Sequence, residues 1–93
     1  MKYTVKRSVK FKKNYKLAQK RGLNVNLLKD IILKSGNGIP LEEKYEDHPL
    51  KGNWDGFREC HIQSDWLLIY LIENDILTLT LVDTGTHADL FKK

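Results

Sequence analysis

Apolar residues recur with two different periods along this chain, and the change from one to the other divides it. Tyr3–Arg7 alternates β-prone residues with charge, which predicts a strand at a sheet edge. Ser8 can cap a helix running to Lys20, with Phe11, Tyr15 and Ala18 at helical spacing and Gly22 as its stop. Asn24 can cap a second helix, whose buried stripe is Leu27, Leu28, Ile31 and Ile32, ended by Ser35-Gly36-Asn37-Gly38. Pro40 and Pro49 keep residues 39–55 irregular.

Beyond that stretch the period shortens to that of strands. Phe57–Ile62, Trp66–Ile72 and Ile76–Val82 are predicted strands, joined at Gln63-Ser64-Asp65 and at Asn74-Asp75. Leu67/Ile69/Leu71 and Leu77/Leu79/Leu81 alternate onto one face, which the helices are expected to cover. Trp66, Leu68, Tyr70, Thr78 and Thr80 are assigned to the opposite face, open to a ligand. A short tail or helix follows Gly85. The predicted architecture is one α+β domain over residues 1–93. Two N-terminal helices lie on one face of a mainly antiparallel four-stranded sheet.

Composition narrows the setting. A chain of 93 residues can bury roughly 60–65% of its unfolded surface, enough for one core. A single cysteine, Cys60, excludes an internal disulfide and gives no reason to expect an oxidising compartment. No apolar run approaches the roughly 20 residues of a membrane span, and the opening MKYTVKRSVKFKK lacks the apolar core of a secretory leader. The expected location is the cytoplasm, without a membrane partner.

Charge changes the picture further. Residues 1–34 carry eleven Lys/Arg against one acid, a net +10, whereas residues 35–93 carry five against eleven, a net −6. So one-sided a segment suggests a polyanion partner or an acidic protein that masks it. Lys12, Lys13, Lys16 and Lys20, all on the first helix, are the candidate RNA-binding surface.

The candidate chemistry lies in the other half. His48, His61 and His87 each occupy a polar, turn-like context, and Asp65-Trp66 follows His61 closely. Imidazoles exchange protons near neutral pH, as cleavage of RNA by its own 2′-hydroxyl requires. Trp66 is a candidate stacking platform for a base. Metal ligation is the rival reading, but no HxxxH or HExxH pair is present and the lone cysteine argues against structural zinc. A metal-independent, cofactor-free mechanism is therefore expected. Cys60, between Glu59 and His61 in a predicted strand, is read as a buried, inert thiol.

Three stretches carry a family resemblance: DHPLKGNWDGFRECHIQSDW at 47–66, LLIY at 67–70 and TGTHADLF at 84–91. In order and spacing they resemble the YafQ branch of the RelE toxin superfamily, and LAQKRG at 17–22 adds to the likeness. The resemblance implies a RelE-like fold, metal-independent cleavage of messenger RNA in the ribosomal A site, and neutralisation by a co-encoded antitoxin, expected to be acidic. It implies active-site positions at His48, His61, Asp65, Trp66, His87 and Phe91. His87 would be the general acid, His48 and His61 would share base and phosphate-stabilising roles, and Asp65 would act as base or orient an imidazole. One departure stands out. Family members often carry arginine before the TGTH motif, where this chain has Asp83. An aspartate facing the phosphate would repel it, leaving Arg58 and Lys51 as candidates for phosphate contact. Two alternatives follow: a non-catalytic member that binds ribosome or RNA, favoured by Asp83, and a ParE-type inhibitor of gyrase, for which three histidines have no evident use.

Overall fold

Capping decides where the helices begin. In the computed structural model, which describes residues 2–91, the Ser8 hydroxyl accepts the Phe11 N–H at 2.9 Å and starts helix α1, Val9–Lys20. The Asn24 side chain accepts the Asn26 N–H at 3.1 Å and starts α2, Val25–Gly36. Gly22, at φ +78°, makes the left-handed turn between them. Strand β1, Thr4–Arg7, precedes α1. After α2 come a 3-10 turn at Glu43–Tyr45, the two-residue strand β2 at His48–Pro49 and a second 3-10 turn at Gly52–Trp54. Strands β3, Arg58–Gln63, β4, Trp66–Glu73, and β5, Thr78–Gly85, follow, and α3, His87–Phe91, ends the described chain.

The sheet has five strands in the order β1-β5-β4-β3-β2, one more than the sequence pattern predicts. The extra strand is β2, too short for any periodicity to reveal. β1 takes the expected edge position but runs parallel to β5, while the other pairings are antiparallel. β5 starts at Thr78 instead of Ile76, because Ile76 and Leu77 remain exposed in the turn and Leu77 adopts φ +47°.

Which face meets the helices is the larger correction. Trp66, Leu68 and Tyr70 of β4 join Phe11, Ala18, Leu28 and Ile31 of the helices in the main core, with Leu79 and Leu81 of β5. Leu67 and Ile69 lie on the opposite face, in a second cluster with Leu90 and partly buried Leu50, Trp54, Phe57 and Phe91. β4 is apolar at nearly every position, so its own alternation carries no parity signal. The neighbouring strand supplies it: β3 turns Cys60 and Ile62 toward the helices and Glu59 and His61 away, and register fixes β4 accordingly. A β-bulge between Ile69 and Tyr70 interrupts the β4–β5 register. β5 thus keeps Leu79 and Leu81 inward, as predicted, while β4 is reversed. The second face is only partly open, since α3 and the 50–57 segment cover it. Each fully buried Leu or Ile of these clusters contributes roughly 1.5–3 kcal/mol relative to exposure.

Candidate active site

The polar positions of β3 supply the floor of the site. Glu59 and His61 are two residues apart and share the face that carries Leu67 and Ile69. β2 pairs His48 directly opposite Glu59. The β3–β4 turn, in which Ser64 takes φ +44°, presents Asp65, and α3 opens with His87. Three segments distant in sequence thus converge on one carboxylate.

That carboxylate is Glu59, whose side chain is only 4% exposed. Its Oε1 lies 3.5 Å from His48 Nε2 and 3.7 Å from His61 Nε2. The His61 and His87 rings meet edge to face, with centroids 5.7 Å apart. Each Nδ1 is engaged from outside the cluster. His48 Nδ1 is 2.6 Å from the Glu46 carbonyl, His61 Nδ1 is 3.3 Å from Glu46 Oε2, and His87 Nδ1 is 2.5 Å from Asp65 Oδ1. An imidazole held at Nδ1 by an acceptor carries its proton there and directs an Nε2 lone pair inward. When it is charged it offers an Nε2 proton instead.

Asp65 also accepts the His87 backbone N–H, at 3.2 Å. The side-chain and backbone hydrogen bonds from His87 hold the Asp65 carboxyl below its usual range, so it remains ionised and accepting throughout neutral pH. Phe91, one helical turn after His87, sets its ring 6.2 Å from the imidazole and 6.1 Å from Trp54. It borders the site and helps pin α3 to the sheet.

Several predicted residues lie elsewhere. Trp66 is 3% exposed within the main core, on the helix side of the sheet, so its ring has no surface on which to stack a base. The reversed face of β4 is the reason. Arg58 pairs with Tyr70 on that same side, and its guanidinium binds Asp47 at 3.1 Å, away from the histidines. Lys51 is exposed at the start of the second 3-10 turn, with no bond to a histidine described. Lys12, Lys13, Lys16 and Lys20 are exposed on α1, in the layer across the sheet from the histidines. Burial pushes the Cys60 thiol up to about 12, which removes it as a nucleophile.

Asp83 also differs from expectation. Its carboxylate, 2% exposed, accepts from Asn14 Nδ2 at 2.6 Å and from the Thr84 N–H at 2.8 Å, with Lys10 Nζ at 3.8 Å. Asn14 and Lys10 belong to α1, so Asp83, on the same side of β5 as Leu79 and Leu81, carries its charge into the helix layer and not toward the histidines. Glu59 and Glu46, by contrast, were not singled out from sequence. The i, i+2 relation of Glu59 to His61 in a strand was the one available signal.

Comparison with known proteins agrees with this geometry. Residues 3–92 match the family model described as a bacterial toxin of type II toxin–antitoxin systems, YafQ. Over 85 residues, 90% of each protein, the chain is 45% identical to the mRNA interferase toxin YafQ of Escherichia coli K12. The crystal structure of the E. coli DinJ–YafQ toxin–antitoxin complex superposes with a TM-score of 0.88 at 40% identity, covering 98% of this chain and 99% of that one. A metal-bound toxin from Helicobacter pylori gives a TM-score of 0.90 at 43% identity over 96% and 99% of the two chains. The chain therefore belongs to the YafQ family of bacterial type II toxin–antitoxin toxins.

Proposed function

We propose that the chain is an endoribonuclease that cleaves messenger RNA in the ribosomal A site, without a metal cofactor, and is held inactive by a co-encoded antitoxin. The observation that carries this reading is the gathering of three imidazoles around buried Glu59: His48 and His61 contact it directly, and His87 packs edge to face on His61 and is fixed by Asp65. An E. coli relative is named an mRNA interferase, and another E. coli structure is a toxin–antitoxin complex. Both agree with the chemistry these residues offer.

In this mechanism a base takes the proton of the ribose 2′-hydroxyl. The 2′ oxygen attacks the adjacent phosphorus, and the bond to the 5′ oxygen breaks as an acid protonates it. The products are a 2′,3′-cyclic phosphate and a free 5′-hydroxyl. His87 is the acid, because Asp65 stabilises its charged form and leaves Nε2–H available to donate. His61 and His48 share the base and phosphate-stabilising roles, with Glu59 stabilising whichever of them carries the proton. Lys12, Lys13, Lys16 and Lys20 supply attraction to ribosomal RNA from the opposite layer. The buried carboxylate of Asp83 points away from the histidines, so its charge does not face a phosphate bound there.

The test is cleavage in a purified translation system, with cut sites mapped by primer extension. The intact chain should cut programmed messenger RNA and leave naked RNA nearly untouched. A transition-metal chelator that spares ribosomal Mg2+ should not slow it. His87→Ala should lower the single-turnover rate by ~10²–10⁴-fold. A wild-type rate in His48→Ala, His61→Ala and His87→Ala alike would refute the enzyme reading.

A further inference from the structure

One residue beside the site combines an unfavourable backbone with contacts to two imidazoles. Glu46 takes a left-handed conformation, φ 48° and ψ 46°, which glycine tolerates freely and a glutamate does not. The other non-glycine residues with positive φ among those described, Ser64 and Leu77, lie in the turns joining β3 to β4 and β4 to β5. Glu46 lies in no such hairpin. It ends the first 3-10 turn, its N–H donating to the Glu43 carbonyl at 3.0 Å. We propose that Glu46 is a positioning residue for RNA cleavage, one that keeps the protons of both His48 and His61 on Nδ1. The catalytic purpose rests on the endoribonuclease reading of the same site.

Its neighbours enforce the conformation. Tyr45 is buried in the main core, and Asp47 is gripped by Arg58 at 3.1 Å and by the Tyr70 hydroxyl. Strain held between two anchored residues marks a position retained for what its groups do. The Glu46 carbonyl lies 2.6 Å from His48 Nδ1, and its Oε2 lies 3.3 Å from His61 Nδ1. A glycine would offer the same carbonyl without strain, so the carboxylate on His61 is what the glutamate adds.

His61 needs that carboxylate because Glu59 competes for the same proton. A neutral imidazole carries one N–H, and the stronger acceptor decides which nitrogen keeps it. Glu59 Oε1 lies 3.7 Å from His61 Nε2 and 3.5 Å from His48 Nε2, so it draws both protons inward. An Nε2 that carries the proton has no lone pair for a ribose 2′-hydroxyl. On His48 the nearer Glu46 carbonyl opposes this pull, and on His61 the nearer Glu46 carboxylate does. His87 meets His61 edge to face and has its own acceptor in Asp65, so it does not take up that role.

Two variants of the intact chain test the assignment. Glu46→Gly removes the carboxylate and keeps the carbonyl. Relief of the left-handed strain offsets the freedom glycine gives the unfolded chain, so Tm should not fall. Nitrogen-15 NMR above neutral pH should show the His61 proton moving from Nδ1 to Nε2 while His48 keeps its own on Nδ1. The single-turnover rate at saturating toxin should drop about 10-fold, less than the ~10⁴-fold that a buried orienting carboxylate can command, because the Glu46 side chain is 67% exposed. The toxin concentration giving half the maximal rate should not rise. Glu46→Gln keeps an acceptor at the same reach and should restore both the Nδ1 proton and most of the rate. A His61 proton that stays put in Glu46→Gly, a wild-type rate there, or a rate loss matched by a lower Tm each overturns the proposal. A wild type that fails to cleave refutes the enzyme reading instead, and the NMR comparison still decides whether Glu46 sets the proton on His61.

Discussion

Replacing Asp83 with alanine separates a structural carboxylate from a catalytic one. The family resemblance implies arginine at this position, yet the aspartate side chain is buried against α1 and accepts two short hydrogen bonds. Alanine leaves the buried Thr84 N–H without its acceptor, and such a loss costs ~1–3 kcal/mol. Half-buried Asn14 can recover a bond to water, so its loss is smaller, and the loose contact to exposed Lys10 adds little. A total of about 2 kcal/mol corresponds to a fall in Tm of roughly 8–16 °C for a domain of this size. The cleavage rate at a temperature where the variant is still folded should stay at the wild-type value, because the carboxylate faces away from the histidines. Thermal melting by circular dichroism and single-turnover cleavage of the same preparation measure the two effects. An unchanged Tm combined with a slower rate would put Asp83 in the chemistry and refute the assignment.

Three further outcomes follow from the same geometry. Trp66→Phe should leave cleavage unchanged and cost no more than about 1–2 kcal/mol by denaturant unfolding, since the lost indole N–H is buried without a partner; a large fall in rate at normal stability would restore a base-stacking role. Cys60 should resist iodoacetamide at pH 8 in the native chain and react fully in denaturant, because its thiol is pushed up to about 12 and stays protonated; rapid native labelling would contradict its burial. Glutamate at Lys12, Lys13, Lys16 and Lys20 together should weaken ribosome association and flatten its dependence on salt while the melting curve holds, and an unaltered salt slope would make this helix face a solubility device only.

The sequence by itself determined what depends on near neighbours. Ser8 and Asn24 are caps, Gly22 is a stop and Phe11, Ala18, Leu28 and Ile31 are core, because a helix reports its buried face through its own period. The charge asymmetry and the grouping of histidines in the second half were equally legible, and the quoted motifs pointed to the family. Tertiary structure decided what depends on pairing. β4 is apolar on both faces, so only its register with β3 could send Trp66 into the core and leave Leu67 beneath the site. Asn14 of α1 met Asp83, which lies on the same side of β5 as Leu79 and Leu81, Asp47 drew Arg58 to the same side, and a two-residue strand set His48 opposite Glu59. His87 has no local spacing to Glu59 and His61, because β3 and α3 become neighbours only when the sheet forms. Residues 26 positions apart in sequence, His61 and His87, carry no mutual periodicity. Their chemistry arises from long-range strand pairing and from the docking of α3 through Leu90, which local patterning cannot encode.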